Sequence, residues 1–232
     1  VSYSVVIPSR LKSNLIPCLA AIRKQQPDAD VIVVDDGLEL TAEERTDLNC
    51  IWLQGVKPFV YSRNCNIGMR YRDNTVLRYK REHPDIILMN DDALLLTPGG
   101  FEALEKQATE HPEYGLIGAV TGMVGNPNQR PRGVGLREDP RMVCFICVYI
   151  PRRTIESVGL LDERFTAYGE DDTDYSLRVR KAGMKIGIYD GCFVDHSCLQ
   201  STFRGSPQKS GDIRHNRQLF INKWGHDGWG VA

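Results

Sequence analysis

The sequence predicts an α/β fold in which a central, mostly parallel sheet is flanked by helices. Three observations predict it. The runs YSVVIPS (3–9), DVIVVD (30–35) and DIILM (85–89) are short and almost continuously apolar, as strands buried on both faces are. The first two are separated by a segment with Leu15, Leu19 and Ile22 at helical spacing. Each run also ends in polar or acidic residues: Ser9–Arg10, Asp35–Asp36 and Asn90–Asp92. Open α/β sheets place their ligands at that carboxyl edge.

The elements follow in order. Pro8 closes the first strand, and a helix is expected over Leu11–Gln25, stopped by Pro27. The second strand ends in Asp35, Asp36 and Gly37. TAEERTDL reads as a short helix capped by Thr41, with Glu44 three residues on. Ile51–Leu53 is a short strand, and a basic helix is expected from Asn64 to about Glu82. DIILMNDDALLL is the third buried strand, running into two carboxylates. Pro98 and Gly99 introduce a helix over Phe101–Glu110, and Gly115–Val120 is a strand. Residues 121–141 read as loop, and MVCFICVYIP (142–151) as a strand. Thr154–Val158 is a short helix, and Thr173–Ala182 a longer one with Gly183 as its C-terminal cap. KIGIYD and CFVDHS read as two strands, and Ile213–Trp224 as a final helix. A break near residue 97 separates a βα-rich half (1–96) from a mixed half (97–200), with a loop and helix after it (201–232).

Composition excludes several classes. With 232 residues, 41% hydrophobic and 25% charged, the chain has the makeup of a globular domain. Lys and Arg total 29 against 30 Asp and Glu, which gives no global field for nucleic acid or a membrane surface. No apolar run reaches the ~18 residues of a membrane span. Seven scattered cysteines without a secretion signal favour a reducing, cytoplasmic setting.

The acids carry the chemistry. Asp91 and Asp92 are adjacent at a sheet edge and repel one another. A divalent cation would reconcile them, since Mg²⁺ and Mn²⁺ take oxygen ligands and bridge to phosphates. A solvated strand end is the competing account. His196, in VDHS, also ends a strand and is a candidate further ligand or an ordinary hydrogen-bonded histidine. Glu170, Asp171, Asp172 and Asp174 crowd four acids at a helix start. The helix dipole accommodates one or two. Four raise one another's pKa, which suits a general base.

The ordered set VVIPS, VVDDG, LMNDDALL, AYGEDDTDYSLRVRKAG and VDHS resembles the GT-A nucleotide-sugar glycosyltransferases, family 2 in particular, over about residues 3–225. The resemblance implies a Rossmann-like GT-A fold with a smaller acceptor-side sheet, and a compact domain with little beyond it. It implies transfer of a sugar, a hexosyl group by expectation, from a nucleotide diphosphate donor with Mn²⁺ or Mg²⁺. By position, Pro8, Ser9 and Arg10 line the nucleotide, Asp36 contacts uracil, and Arg63 and Asn64 face base and ribose. Asn90 and Asp91 belong to the metal motif, whose contact is Asp92, joined by His196. Counting back from Leu177–Arg178 makes Asp172 the base; counting forward from Gly169 makes it Asp171. No second carboxylate nucleophile is evident, so inversion is expected.

Residues 201–211, with Arg204 and Lys209, are expected to close over the diphosphate as a lid, with Arg214 and Arg217 just beyond. Arg130, Arg132, Arg137 and Arg141 hint at an anionic acceptor: a phosphorylated glycan, a lipid-linked phosphate or nucleic acid. Cys144 and Cys147 read as buried thiols on opposite faces of a strand rather than zinc ligands. Two other functions stay open. A nucleotidyltransferase would carry a Gly-rich first loop, which SRLKSN lacks, and a non-catalytic binding module would not need the acids at 170–174.

Overall fold

The computed structural model describes residues 2–71, 84–166, 169–199 and 209–226. Its strands are β1 (Tyr3–Ser9), β2 (Val31–Asp35), β3 (Ile51–Gln54), β4 (Asp85–Met89), β5 (Leu94–Leu95), β6 (Tyr114–Thr121), β7 (Leu136–Glu138), β8 (Cys147–Ile150) and β9 (Lys185–Asp195). The helices are α1 (Lys12–Gln25), α2 (Ala42–Asp47), α3 (Tyr61–Arg70), α4 (Gly100–Glu110), α5 (Arg152–Val158), α6 (Asp171–Lys181) and α7 (Lys209–Trp224). All described strands join one sheet in the order β3-β2-β1-β4-β8-β6-β9-β5, and β7 also pairs with β9. Strands β1 to β4 are mutually parallel, and β6 and β9 run the same way. Only β8 breaks the direction inside the sheet, while β5 and β7 lie antiparallel on β9. The expected mostly parallel architecture is the one observed.

Alternation along each strand divides the core between the two faces. Tyr3, Val5 and Ile7 of β1 pack with Leu15, Leu19 and Ile22 of α1 and with Phe101 and Leu104 of α4. Val6 of β1 faces the other way and packs with Cys65 and Met69 of α3 and with Tyr175 and Val179 of α6. The sheet is thus covered on both sides, as its continuously apolar strands require. Helix α3 comes unusually close because Gly68 faces Val6: a Cβ there would lie 2.3 Å from the valine Cγ1.

The parallel pairing sets the site. Ser9 lies in register with Asp35, and Asp35 with Gln54, so β1, β2 and β3 end at one edge. Strand β4 delivers Asn90–Asp92 there too. The segment before β8 arrives at the same edge, where the Asn90 amide donates to the Ile146 carbonyl at 2.9 Å. Pairing of Leu94 with Asp195 then brings the end of β9 beside Asp92.

Several boundaries differ from expectation. The strand expected over 142–151 is confined to Cys147–Ile150. The amides before it are taken by side chains: Met142 donates to Asp139 Oδ1, Val143 to Ser176 Oγ and Cys144 to Gln129 Oε1. Cys144 therefore lies outside the strand and is half-buried, whereas Cys147 is fully buried. The two strands expected over 185–197 are one, β9, with a shift in its pairing to β6 between Ala119 and Val120. Loop 121–141 contains β7, anchored by Asp190, whose carboxylate accepts the amides of Arg132 and Val134. Helix α3 starts at Tyr61, and the remainder of the expected basic helix falls on 72–83, outside the described residues. All seven cysteines are unpaired thiols. Among the described residues no helix is long and apolar enough to cross a membrane.

Candidate active site

A cavity of about 410 Å³ opens at the carboxyl edge. Pro8, Asn90, Asp91, Asp92, His196, Asp171 and Asp172 all line it. The sequence places these residues in four separate motifs; the fold brings them to one hollow. The acids differ in the protein partners that hold them.

Asp35 is structural. Burial alone would raise its pKa, but a hydrogen bond from Arg45 and the amides of Leu38 and Gly37 outweigh that and hold it low. Asp36 is buried and raised, chiefly by desolvation. Its Oδ1 has no hydrogen-bond partner among the described residues. Gly55 lets Asp36 and Asn64 approach each other: a Cβ there would lie 2.9 Å from the Asp35 carbonyl and 3.2 Å from Asn64 Oδ1. Asn64 is buried, with Oδ1 accepting the Val56 amide. Its expected companion Arg63 is turned outward, 3.7 Å from Glu163. Arg10 is exposed and lies over the Phe59 ring, 5.3 Å from its centroid.

Asp91 is buried and accepts Ser9 Oγ at 2.6 Å. Burial pushes it up to about 6, against the Ser9 hydrogen bond that favours its charged form. Asp92 turns the other way, with Oδ1 3.1 Å from His196 Nε2. His196 Nδ1 in turn lies 3.2 Å from the Met123 carbonyl. Both ring nitrogens therefore face acceptors, and a neutral imidazole has only one N–H to give. A divalent cation held by Asp92 and His196 would remove the conflict, because Nδ1–H could keep the carbonyl while Nε2 offered its lone pair. The donor set, one carboxylate and one imidazole, fits Mn²⁺ or Mg²⁺ with positions left open for phosphate oxygens. Among the described residues no group of three or more such side chains gathers, so protein ligands alone do not complete a shell.

The 170–174 cluster sorts in the same manner. Asp174 is fully buried and accepts Trp224 Nε1 at 2.8 Å and Arg178 Nε at 3.0 Å, with Lys223 Nζ at 2.6 Å. Glu170 pairs with Arg217 at 2.7 Å. Asp171 and Asp172 line the cavity together with Glu170. Both are half-buried and both are raised, first by desolvation; Asp172 is further raised by Asp171 and Asp171 by Glu170, while the Thr173 amide 2.8 Å from Asp172 opposes the rise.

Among the lid residues, 200–208 with Arg204 lie outside the described residues, and Lys209 opens α7. Of the loop arginines, Arg137 bonds Asp190 and the carbonyls of Asn128 and Arg130, and Arg132 bonds Asn128 Oδ1. No Lys or Arg is among the described residues lining the cavity. Sequence reasoning missed Phe59, just ahead of α3, and Tyr61, its first residue, which line the hollow, and it placed Arg217 just beyond the lid without its pairing to Glu170. Only the aromatic character of the 59–61 segment signals the first two.

The fold is that of the GT-A glycosyltransferases. No family model matches the chain. O-antigen biosynthesis protein RfbC of Myxococcus xanthus is 24% identical over 217 residues, covering 79% of this chain and 16% of that protein. Solved structures align over nearly the whole chain. GalNAc-T7 with UDP, GalNAc and Mn²⁺ aligns with a TM-score of 0.68 at 11% identity, over 96% of this chain and 50% of that one. The mannosyltransferase PcManGT of Pyrobaculum calidifontis, in complex with GDP-Man and Mn²⁺, aligns at 0.66 and 15% identity, over 95% and 64%. S. aureus TarS 1–349 in complex with UDP-GlcNAc aligns at 0.62 and 11% identity, over 96% and 67%. The chain thus spans half to two thirds of these structures and a small part of RfbC.

Proposed function

We propose that the chain is a metal-dependent, inverting glycosyltransferase of the family 2 type, moving a hexosyl group from a nucleotide diphosphate sugar to an acceptor hydroxyl. One observation carries this reading: the Asp92–His196 pair and the Asp171–Asp172 pair line the same cavity. The neighbours' complexes with UDP, GDP-Man, UDP-GlcNAc and Mn²⁺ support it.

Asp36 Oδ1, a buried acceptor with no hydrogen-bond partner among the described residues, is suited to the imide N–H of uracil, which favours a UDP-sugar. Pro8, Asn90 and Asp91, which line the cavity, would orient the donor together with Ser9, Arg10 and Asn64 at the same sheet edge. Asp92 and His196 would hold Mn²⁺ or Mg²⁺, which would supply Lewis-acid stabilisation of the leaving diphosphate. Asp172, raised toward neutrality, takes the acceptor proton as the new bond forms; Asp171 supports it and is the alternative base.

The test is a mass-spectrometric screen of UDP- and GDP-sugars with Mn²⁺ against candidate acceptors. Asp172→Asn is expected to lower kcat by about 10²–10⁴-fold. His196→Ala is expected to weaken Mn²⁺ binding about 10–100-fold, read by paramagnetic resonance in the presence of UDP. Full turnover by Asp172→Asn, retained anomeric configuration in the product, or nucleotide-sugar synthesis from a nucleoside triphosphate would overturn the reading.

A further inference from the structure

The turn before α6 is unusual in its backbone and in its partners. Gly169 and Glu170 both have positive φ, +89° and +71°. The second is the left-handed region, which is unfavourable for a residue that carries a side chain. Glu170 does not use its side chain to cap the helix that it starts. It points instead to α7, where Arg217 Nη1 donates to Oε1 at 2.7 Å, while Oε2 is buried with no hydrogen-bond partner among the described residues. One position earlier in α7, the fully buried Asn216 donates Nδ2 to the Gly169 carbonyl at 2.7 Å. Two consecutive residues of α7 thus grip two consecutive residues of the turn, and Ile213, one turn before them, lines the cavity.

We propose that Arg217 is a positioning residue: with Asn216 it holds the Gly169–Glu170 turn in its left-handed form and balances the Glu170 charge, so that Asp171 and Asp172 stay presented to the cavity as proton acceptors. The proposal rests on the reading of Asp172 as the base. Glu170 lines the cavity and is paired with Arg217. It is the extra acid of the motif, and its charge is one of the influences that raise Asp171 and Asp172. Asp172 is faced by Glu170 and Asp171 from its own turn, by Tyr61 of α3, and by Cys144 from the segment before β8. Asp174 and Cys65 act on Asp171. Arg217 brings a cation to this otherwise acidic and neutral set from outside α6.

Carboxyl ¹³C NMR of aspartate-labelled protein titrates the pair without requiring activity, and Asp172→Asn assigns the resonance. Arg217→Gln is expected to raise the Asp172 titration by about half a unit to one unit, since an unbalanced Glu170 repels a second charge. Glu170→Gln is expected to lower it. The Glu170→Gln/Arg217→Gln pair returns it close to wild type, and Arg217→Lys leaves it there. Where turnover is measurable, the acidic limb of kcat/KM moves in the same directions. An unmoved titration in Arg217→Gln, or a double variant that stays displaced, overturns the proposal. If Arg217→Gln does not fold, Glu170→Gln and Arg217→Lys decide it: no downward shift in the first, or a wild-type shift lost in the second, is refutation. Failure of the base reading is a separate result, because Asp172→Asn would then keep its activity whatever the titration shows.

Discussion

Asp174 is expected to be the most costly acid in the chain to remove, although it does not face the cavity. Replacing it with alanine takes the acceptor from Trp224 Nε1, Arg178 Nε and Lys223 Nζ at once. The site has no exposure at Asp174, and Arg178 and Lys223 are only 17% and 19% exposed, so water does not substitute freely. Breaking a buried ion pair from one side costs about 3–5 kcal/mol. Two of the stranded donors keep other partners: Arg178 Nη1 bonds the Val158 carbonyl, and Lys223 bonds Asp162, each at 2.7 Å. The lower end, about 3 kcal/mol, is therefore the expected loss. For a domain of this size it lowers Tm by roughly 6–12 °C. Asp174→Asn, which keeps an oxygen for the tryptophan, should fall between. Urea unfolding followed by circular dichroism, with thermal melts beside it, measures both. An Asp174→Ala variant within about 1 kcal/mol of wild type would refute the claim that this cluster is what seats α7.

Two more outcomes follow from the same geometry. Gly68→Ala drives a methyl into Val6 and is expected to cost about 1–3 kcal/mol in urea unfolding; an unchanged midpoint would mean that α3 slides freely on β1. Asp172→Asn is expected to raise Tm at pH 8 and to raise it less at pH 5. A carboxyl whose folded pKa is raised binds its proton more tightly folded than unfolded, so it costs stability as pH climbs from its unfolded value through its folded one. A gain that does not grow with pH would show that burial and the neighbouring Asp171 do not raise this carboxyl.

The sequence carried the sheet well because β1, β2 and β4 are buried on both faces, and continuous apolarity records that directly. The capping box at Thr41 and Glu44 was equally legible, and both of its hydrogen bonds form. The strand expected over 142–151 was not, because β-branched and aromatic composition cannot show that Asp139, Gln129 and Ser176 claim its first amides. The site was legible as a set of motifs and illegible as a geometry. Adjacent acids look alike in a sequence. Which of Asp35 and Asp36, or of Glu170 to Asp174, faces a ligand depends on Arg45, Arg217, Lys223 and Trp224, and none of these is marked by spacing as a partner.

The grip of α7 on α6 also has an order in time. As the chain leaves the ribosome, Glu170 to Asp174 emerge with Arg178 close behind, but Arg217 follows Glu170 by 47 residues and Trp224 follows Asp174 by 50. Until those residues are made, the nascent sheet holds its acids with much of their countercharge missing. The Gly169–Glu170 turn therefore gains its partners on α7 only after those later residues are made.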